Sequence, residues 1–126
     1  MDDSQKQYYK DMLERNRGHI FIKDGHVAGV VTFFIGDDDG RYLYNRVPWT
    51  VIDDTEDGET AYIDQLIVHD HAANDCMHRE FAMFLKWVKT NFPKVKRAKW
   101  VRVNAAFRKH GSNEGVTSNV HTKNIR

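Results

Sequence analysis

Between positions 69 and 78 the run HDHAANDCMH gathers His69, His71 and His78, the single thiol of the chain at Cys76, and the carboxylates of Asp70 and Asp75. His-x-His and Cys-x-His offer borderline-soft ligands of the kind that zinc, copper or nickel takes. Their spacing matches no common structural zinc motif, and seven histidines in 126 residues make chance clustering plausible. The simpler reading is a polar turn whose His and Asn side chains cap a helix and solvate a strand end, with no metal expected. Cys76 at a helix start has the setting that lowers a thiol pKa, with histidines at hand as base. No third, orienting group can be named, so a semi-buried structural thiol is the plainer assignment.

The elements around this run give it a second use. TAYIDQLIVH reads as a strand, with Tyr62, Asp64 and Leu66 alternating against Ile63, Gln65 and Ile67. Asp75 can cap the helix that follows, along which Met77, Phe81, Phe84, Leu85, Val88 and Phe92 form an apolar stripe. Met83 and Trp87 lie off that stripe and are assigned to core packing. Pro93 stops the helix, and RAKWVRVN is the next strand. Strand, helix, strand implies parallel pairing through a crossover. The helix start carries unpaired N–H groups and the positive end of the helix dipole, so the junction can bind an anion.

Upstream, Ser4 is an N-cap for a helix over 4–16, ended by Gly18. HIFIKDGHVAGVVTFFIG reads as two strands joined at Asp24-Gly25, with Gly29 marking a bulge or a close backbone approach. GDDDG is a turn; it lacks the ligand ladder of an EF-hand, so an acidic surface loop is expected instead of a calcium site. RYLYNRV reads as a short strand over 41–47. The tail from Asn104 is polar and rich in Asn, Ser and Gly; such a composition allows flexibility, but an ordered tail held against the domain is the reading adopted.

With 126 residues, 40 % apolar and 29 % charged, the chain reads as one soluble domain, 1–126, with 104–126 as its polar tail. One cysteine excludes an internal disulfide, and the amino terminus lacks the apolar core of a secretory signal, so a cytoplasmic setting is expected. No apolar run approaches the roughly 20 residues of a membrane span. The net charge of +1 conceals a split: residues 37–80 hold twelve acidic against three basic residues, and 94–126 hold nine basic against one acidic. The two regions attract each other or address different partners; a solvated surface is the plainer reading. KVKRAKWVRVN interleaves basic residues with Trp100, which could serve nucleic acid. Trp100 is more simply a core residue of its strand, with Lys99 and Arg102 exposed, and nucleic acid is not favoured.

Helix, long hairpin, strand, turn, helix, strand over residues 4–104, and above all IDQLIVHDHAANDCMHREFAMFLKWV, resembles the Gcn5-related N-acetyltransferase (GNAT) family, in the small, divergent form found in phage genomes. The resemblance implies an α/β (α+β) fold with a mixed, mainly antiparallel twisted sheet and one central β-α-β unit. It further implies an acyl-CoA-dependent N-acyltransferase using acetyl-CoA. The backbone of Leu66, Ile67 and Val68 would pair with the pantetheine arm, and the turn Ala73, Asn74, Asp75, Cys76, Met77 and His78 would hold the pyrophosphate. Asp64 falls where many members carry a glutamate that takes a proton from the attacking amine. The family turn reads Arg/Gln-x-x-Gly-x-Gly/Ala; here Ala73, Cys76 and His78 occupy its defining places. The 22 residues after Asn104 are too few for the usual helix and strand pair, and NAAFRKHG lacks the tyrosine that protonates the leaving thiolate. The alternative is a catalytically inactive binding protein on the same scaffold, such as a phage-encoded inhibitor or virion component, engaging a protein partner or a second copy of itself.

Overall fold

The structure is a computed structural model that describes residues 2–38, 49–68, 78–103 and 118–125. Helix α1 spans Asp3–Glu14, strand β1 Gly18–Lys23, β2 His26–Gly36, β3 Thr60–Val68, helix α2 His78–Asn91, β4 Arg97–Val103 and β5 Ser118–Asn124. The five strands form one sheet in the order β1-β2-β3-β4-β5, antiparallel except for the parallel β3–β4 pair that α2 connects. The expected mixed, mainly antiparallel sheet with a central β-α-β unit is therefore present. Among the described residues no helix is long and apolar enough to cross a membrane.

Each helix covers one face of the sheet. On the α2 face, Val31, Phe33 and Ile35 of β2 pack with Phe84, Leu85, Val88 and Phe92, joined by Phe21, Ala61 and Ala98. Phe81, Trp87 and Trp100 pack against this cluster as well, which agrees with the core role read for Trp87 and Trp100. Met83 instead points to solvent, because it lies on the side of α2 opposite Phe84 and Val88. On the other face, Tyr8, Tyr9 and Met12 of α1 pack on Phe34 and Tyr62, with Trp49, Val51 and Ile52 alongside.

Helix α1 begins at Asp3, and its cap lies two residues before the one read. Asp2, not Ser4, is the N-cap: its side chain accepts from Gln5 N, and the Gln5 side chain returns a bond to Asp2 N. The helix ends at Glu14 with Arg15 as its C-cap, and the left-handed residue that follows is Asn16, not Gly18. Asn16 adopts φ 60°, and the Arg17 N–H bonds back to Met12 O while Asn16 N bonds to Leu13 O. The hairpin turn falls at Asp24-Gly25 as expected, both at positive φ. Gly29 shows both anticipated features: the β1–β2 register shifts beside it, and a Cβ there would strike the Ile67 carbonyl.

The tail and Lys99 are placed more specifically than the sequence reading had them. Residues 118–124 of the polar tail form an edge strand paired along the whole of β4. Lys99 is partly buried rather than exposed, and it donates to Asp38. Lys94–Asp57 at 2.8 Å, Lys96–Glu59 at 3.2 Å and Arg97–Asp38 at 3.5 Å complete the pattern, so the acidic middle and the basic end meet each other. The strand read over 41–47, the Asp75 cap and the Met77 contact lie outside the described residues.

Candidate functional site

The parallel ladder between β3 and β4 is short. Thr60 pairs with Arg97, Ala61 with Ala98 and Tyr62 with Lys99; beyond them β3 runs on to Val68 and β4 to Val103 without pairing to each other. On its other side β3 stays paired to β2 from Thr60 to Val68. From Ile63 onward, one edge of β3 therefore has no β4 partner, and Leu66, Ile67 and Val68 lie along that edge. The backbone that the resemblance assigns to the pantetheine arm thus lies beyond the last β3–β4 pair.

Asp64 stands at the root of the opening, in a bulge. Gln65 pairs with Thr32 and Ile63 with Phe33, so Asp64 is an extra residue on β3 with no counterpart on β2. The bulge reverses the strict alternation read from sequence: Ile67 joins Tyr62 on the α1 face, and Val68 joins Ile63 on the α2 face.

The Asp64 carboxylate is reached from α1. Tyr8, 2 % exposed, donates its hydroxyl proton to Asp64 Oδ2. Its oxygen also lies 2.6 Å from Thr32 Oγ1. Tyr8 has only one hydroxyl hydrogen, so Thr32 is the donor in that second contact. Thr32 in turn accepts from Gln65 N at 3.2 Å. Three donors thus run in series from the Gln65 amide through Thr32 and Tyr8 to Asp64, each polarising the next. The sequence offered no sign of Tyr8 or Thr32 in this role; two adjacent tyrosines on a helix read first as apolar packing.

Outside Tyr8 lies an open groove of about 570 Å³, lined by Asp3, Ser4, Gln7, Tyr8 and Asp11 of α1 and by Trp49, Thr50 and Val51. Gln7 Nε2 donates to Asp11 Oδ1 at 2.8 Å. Trp49 sets its indole against Tyr8 at 5.7 Å and Tyr9 at 5.8 Å, and holds φ 62° to do so. A bulky side chain rarely adopts that backbone, so the aromatic contacts must over-determine it.

The described part of helix α2 begins at His78, the last residue of the turn that the resemblance assigns to the anion. Of the nominated turn, Ala73, Asn74, Asp75, Cys76 and Met77 lie outside the described residues, as do His69 and His71. Among the described residues no group of three potential metal ligands occurs. Two groups that the sequence reading passed over bear on the region. Glu80, in the first turn of α2, buries Oε2 without a hydrogen-bond partner. His121 of β5 stacks on Trp100 at 5.7 Å and leaves its buried Nε2 without a partner. Trp100 meets Phe81 of α2 at 5.5 Å, so these rings line the α2 side of β4 just past the last paired residue.

The parting of β3 from β4, the helix after it and the sheet order define a GNAT-like fold, and comparison with known structures finds the same architecture. One similar structure is the loading GNATL domain of CurA from Lyngbya majuscula, with TM-score 0.62, 13 % identity, and coverage of 86 % of this chain and 55 % of that one. Another is the GphF GNAT-like decarboxylase in complex with isobutyryl-CoA, with TM-score 0.57, 13 % identity, and coverage of 80 % and 53 %. The chain thus spans little more than half the length of these structures. No protein-family model and no curated protein matches the sequence.

Proposed function

We propose that the chain is an acyl-CoA-dependent N-acyltransferase, with Asp64 as the group that takes the proton from the attacking amine. The observation that carries this reading is the opening between β3 and β4 with Asp64 bulged out at its root. The edge of β3 beyond its last pair with β4 offers backbone amides and carbonyls of the sort a pantetheine arm can pair with, and the start of α2 offers the dipole that a diphosphate seeks. In the reaction an amine nitrogen bonds to the acyl carbon, the thioester C–S bond breaks, and the departing thiolate ends protonated as free thiol. The series from Gln65 to Tyr8 holds the Asp64 carboxylate in place while it receives the amine proton. Asp3 and Asp11 in the neighbouring groove suit a cationic acceptor.

Titration calorimetry with acetyl-CoA tests the reading. Binding is expected, and Asp64→Asn should keep that binding while losing about 10²–10⁴-fold in turnover with an amine acceptor. A folded sample that gives no heat at millimolar acetyl-CoA removes the enzyme.

A second reading, a binding protein that keeps the scaffold without catalysis, is favoured by Glu80. Its carboxylate already places negative charge at the opening turn of α2, where a diphosphate would have to sit. On this reading Glu80→Gln does not create CoA affinity; on the first it strengthens affinity already present.

A further inference from the structure

The two edges of the sheet are built differently. β5, Ser118–Asn124, reads SNVHTKN, a polar edge on which Thr122, Lys123 and Asn124 are exposed. Polar side chains and lysine are the usual means of keeping an edge from pairing with another chain. β1, Gly18–Lys23, reads GHIFIK and carries no such protection before its last residue.

The backbone of β1 is also turned the right way. The Arg17 carbonyl accepts from Phe33 N at 3.0 Å, and the β1–β2 register continues from Gly18↔Thr32 to Phe21↔Gly29. In an antiparallel pair, bonded positions alternate, so 17, 19 and 21 bond to β2. Gly18, Ile20 and Ile22 therefore present their N–H and C=O groups to the outer edge. Phe21 is buried on the α2 face, which puts the side chains of Ile20 and Ile22 on the opposite face. Ile20 is 41 % exposed, Ile22 59 %, and Val27, which pairs with Ile22, 50 %. Among the described residues no strand pairs with this edge, and an apolar strip lies beside it.

We propose that the outer edge of β1 is a homodimer interface, where β1 of a second copy pairs antiparallel to it and joins the two sheets into one of ten strands. The edge is self-complementary. About a two-fold axis, every outward position must meet another outward position. Registers that set Ile20 opposite the second copy's Ile20 or Ile22 meet this condition, whereas a slip of one residue does not. Either register brings the exposed isoleucines of the two copies together and continues the apolar strip across the axis. Charge does not oppose the contact, because Lys23 is followed at once by Asp24, leaving the hairpin tip neutral.

Sedimentation equilibrium and amide hydrogen exchange test this together. Pairing of two six-residue strands is a limited contact, so the dimer is expected at about 100 µM and to dissociate on dilution. The mass should approach twice 14.8 kDa at the upper end. The Ile20 and Ile22 amides should gain at least tenfold protection over the same range, while the Phe21 amide, already bonded to β2, should not change. Ile22→Lys alters a side chain that is mostly in solvent, so it should fold normally, judged by circular dichroism, yet raise the dissociation constant more than tenfold. A chain that stays monomeric overturns the proposal. So does a dimer in which the Ile20 and Ile22 amides exchange at the monomer rate, or one that Ile22→Lys leaves intact.

Discussion

Arg17 grips Asp54 with two bonds, Nε to Oδ2 at 2.7 Å and Nη2 to Oδ1 at 3.2 Å, and both side chains are almost fully buried. The same Asp54 oxygen accepts the Ile35 amide at 2.8 Å, and the guanidinium lies over the Phe92 ring at 5.1 Å. One carboxylate thereby ties the end of α1, the end of β2 and the acidic stretch before β3. Asp54→Ala leaves a buried guanidinium without its anion and should cost about 3–5 kcal/mol. Urea denaturation measures this. A loss below about 1 kcal/mol, the level of a surface pair, would show that the anchor is unimportant.

Gly29 tolerates no side chain, because the atom in the way is the Ile67 carbonyl oxygen, which belongs to a paired strand and cannot swing aside. Gly29→Ala should destabilise by about 1–3 kcal/mol, as overpacking does. Thermal unfolding of the variant is the measurement, and an unchanged midpoint would contradict the packing described.

Tyr9 buries its hydroxyl without a partner, and burial pushes its pKa up to about 12. An unsatisfied buried hydroxyl is a liability, so Tyr9→Phe should stabilise the fold by up to about 1 kcal/mol. Tyr8→Phe, one residue away, should do the opposite, since Tyr8 bonds both Thr32 and Asp64. If the two variants move stability in the same direction, the distinction drawn between the tyrosines is wrong.

His19 sits among Phe21, Phe84 and Trp87, with Trp87 at 5.0 Å, and burial lowers its pKa from the ordinary 6.5. A pKa depressed in the folded state means that the unfolded chain binds the proton more readily. The stability that follows is fully present above 6.5 and is lost as pH falls through the lower folded value. Midpoints measured on either side of 6.5 should show this slope in the wild type, and His19→Phe should flatten it.

What could be read beforehand was what repeats locally. The stripe Phe81, Phe84, Leu85, Val88 marked α2 because a helix must turn one face inward, and Asp24-Gly25 marked a hairpin because few other pairs accept that backbone. β5 escaped because SNVHTKN has a single apolar residue and none of the alternation that burial on one face imposes. The two cap assignments of α1 erred by two residues at each end, since Asp2 and Ser4 cap equally well in principle, as do Asn16 and Gly18. Asp64 was picked out by position in a pattern, but its environment was not. Tyr8 lies 56 residues away and Thr32 on a different strand, and contacts of that range leave no periodic trace.

The extra residue at Asp64 also governs how this chain can drift. Removing any one residue between Ile63 and Gln65 would realign β3 with β2 and swing Ile67 and Val68 each to the opposite layer, emptying one core contact and crowding the other. A substitution at Ile63 or Gln65 leaves that alignment in place, whereas a single-codon deletion would be felt across both halves of the molecule. Length, as much as the carboxylate it sets in place, is what this stretch of strand must conserve.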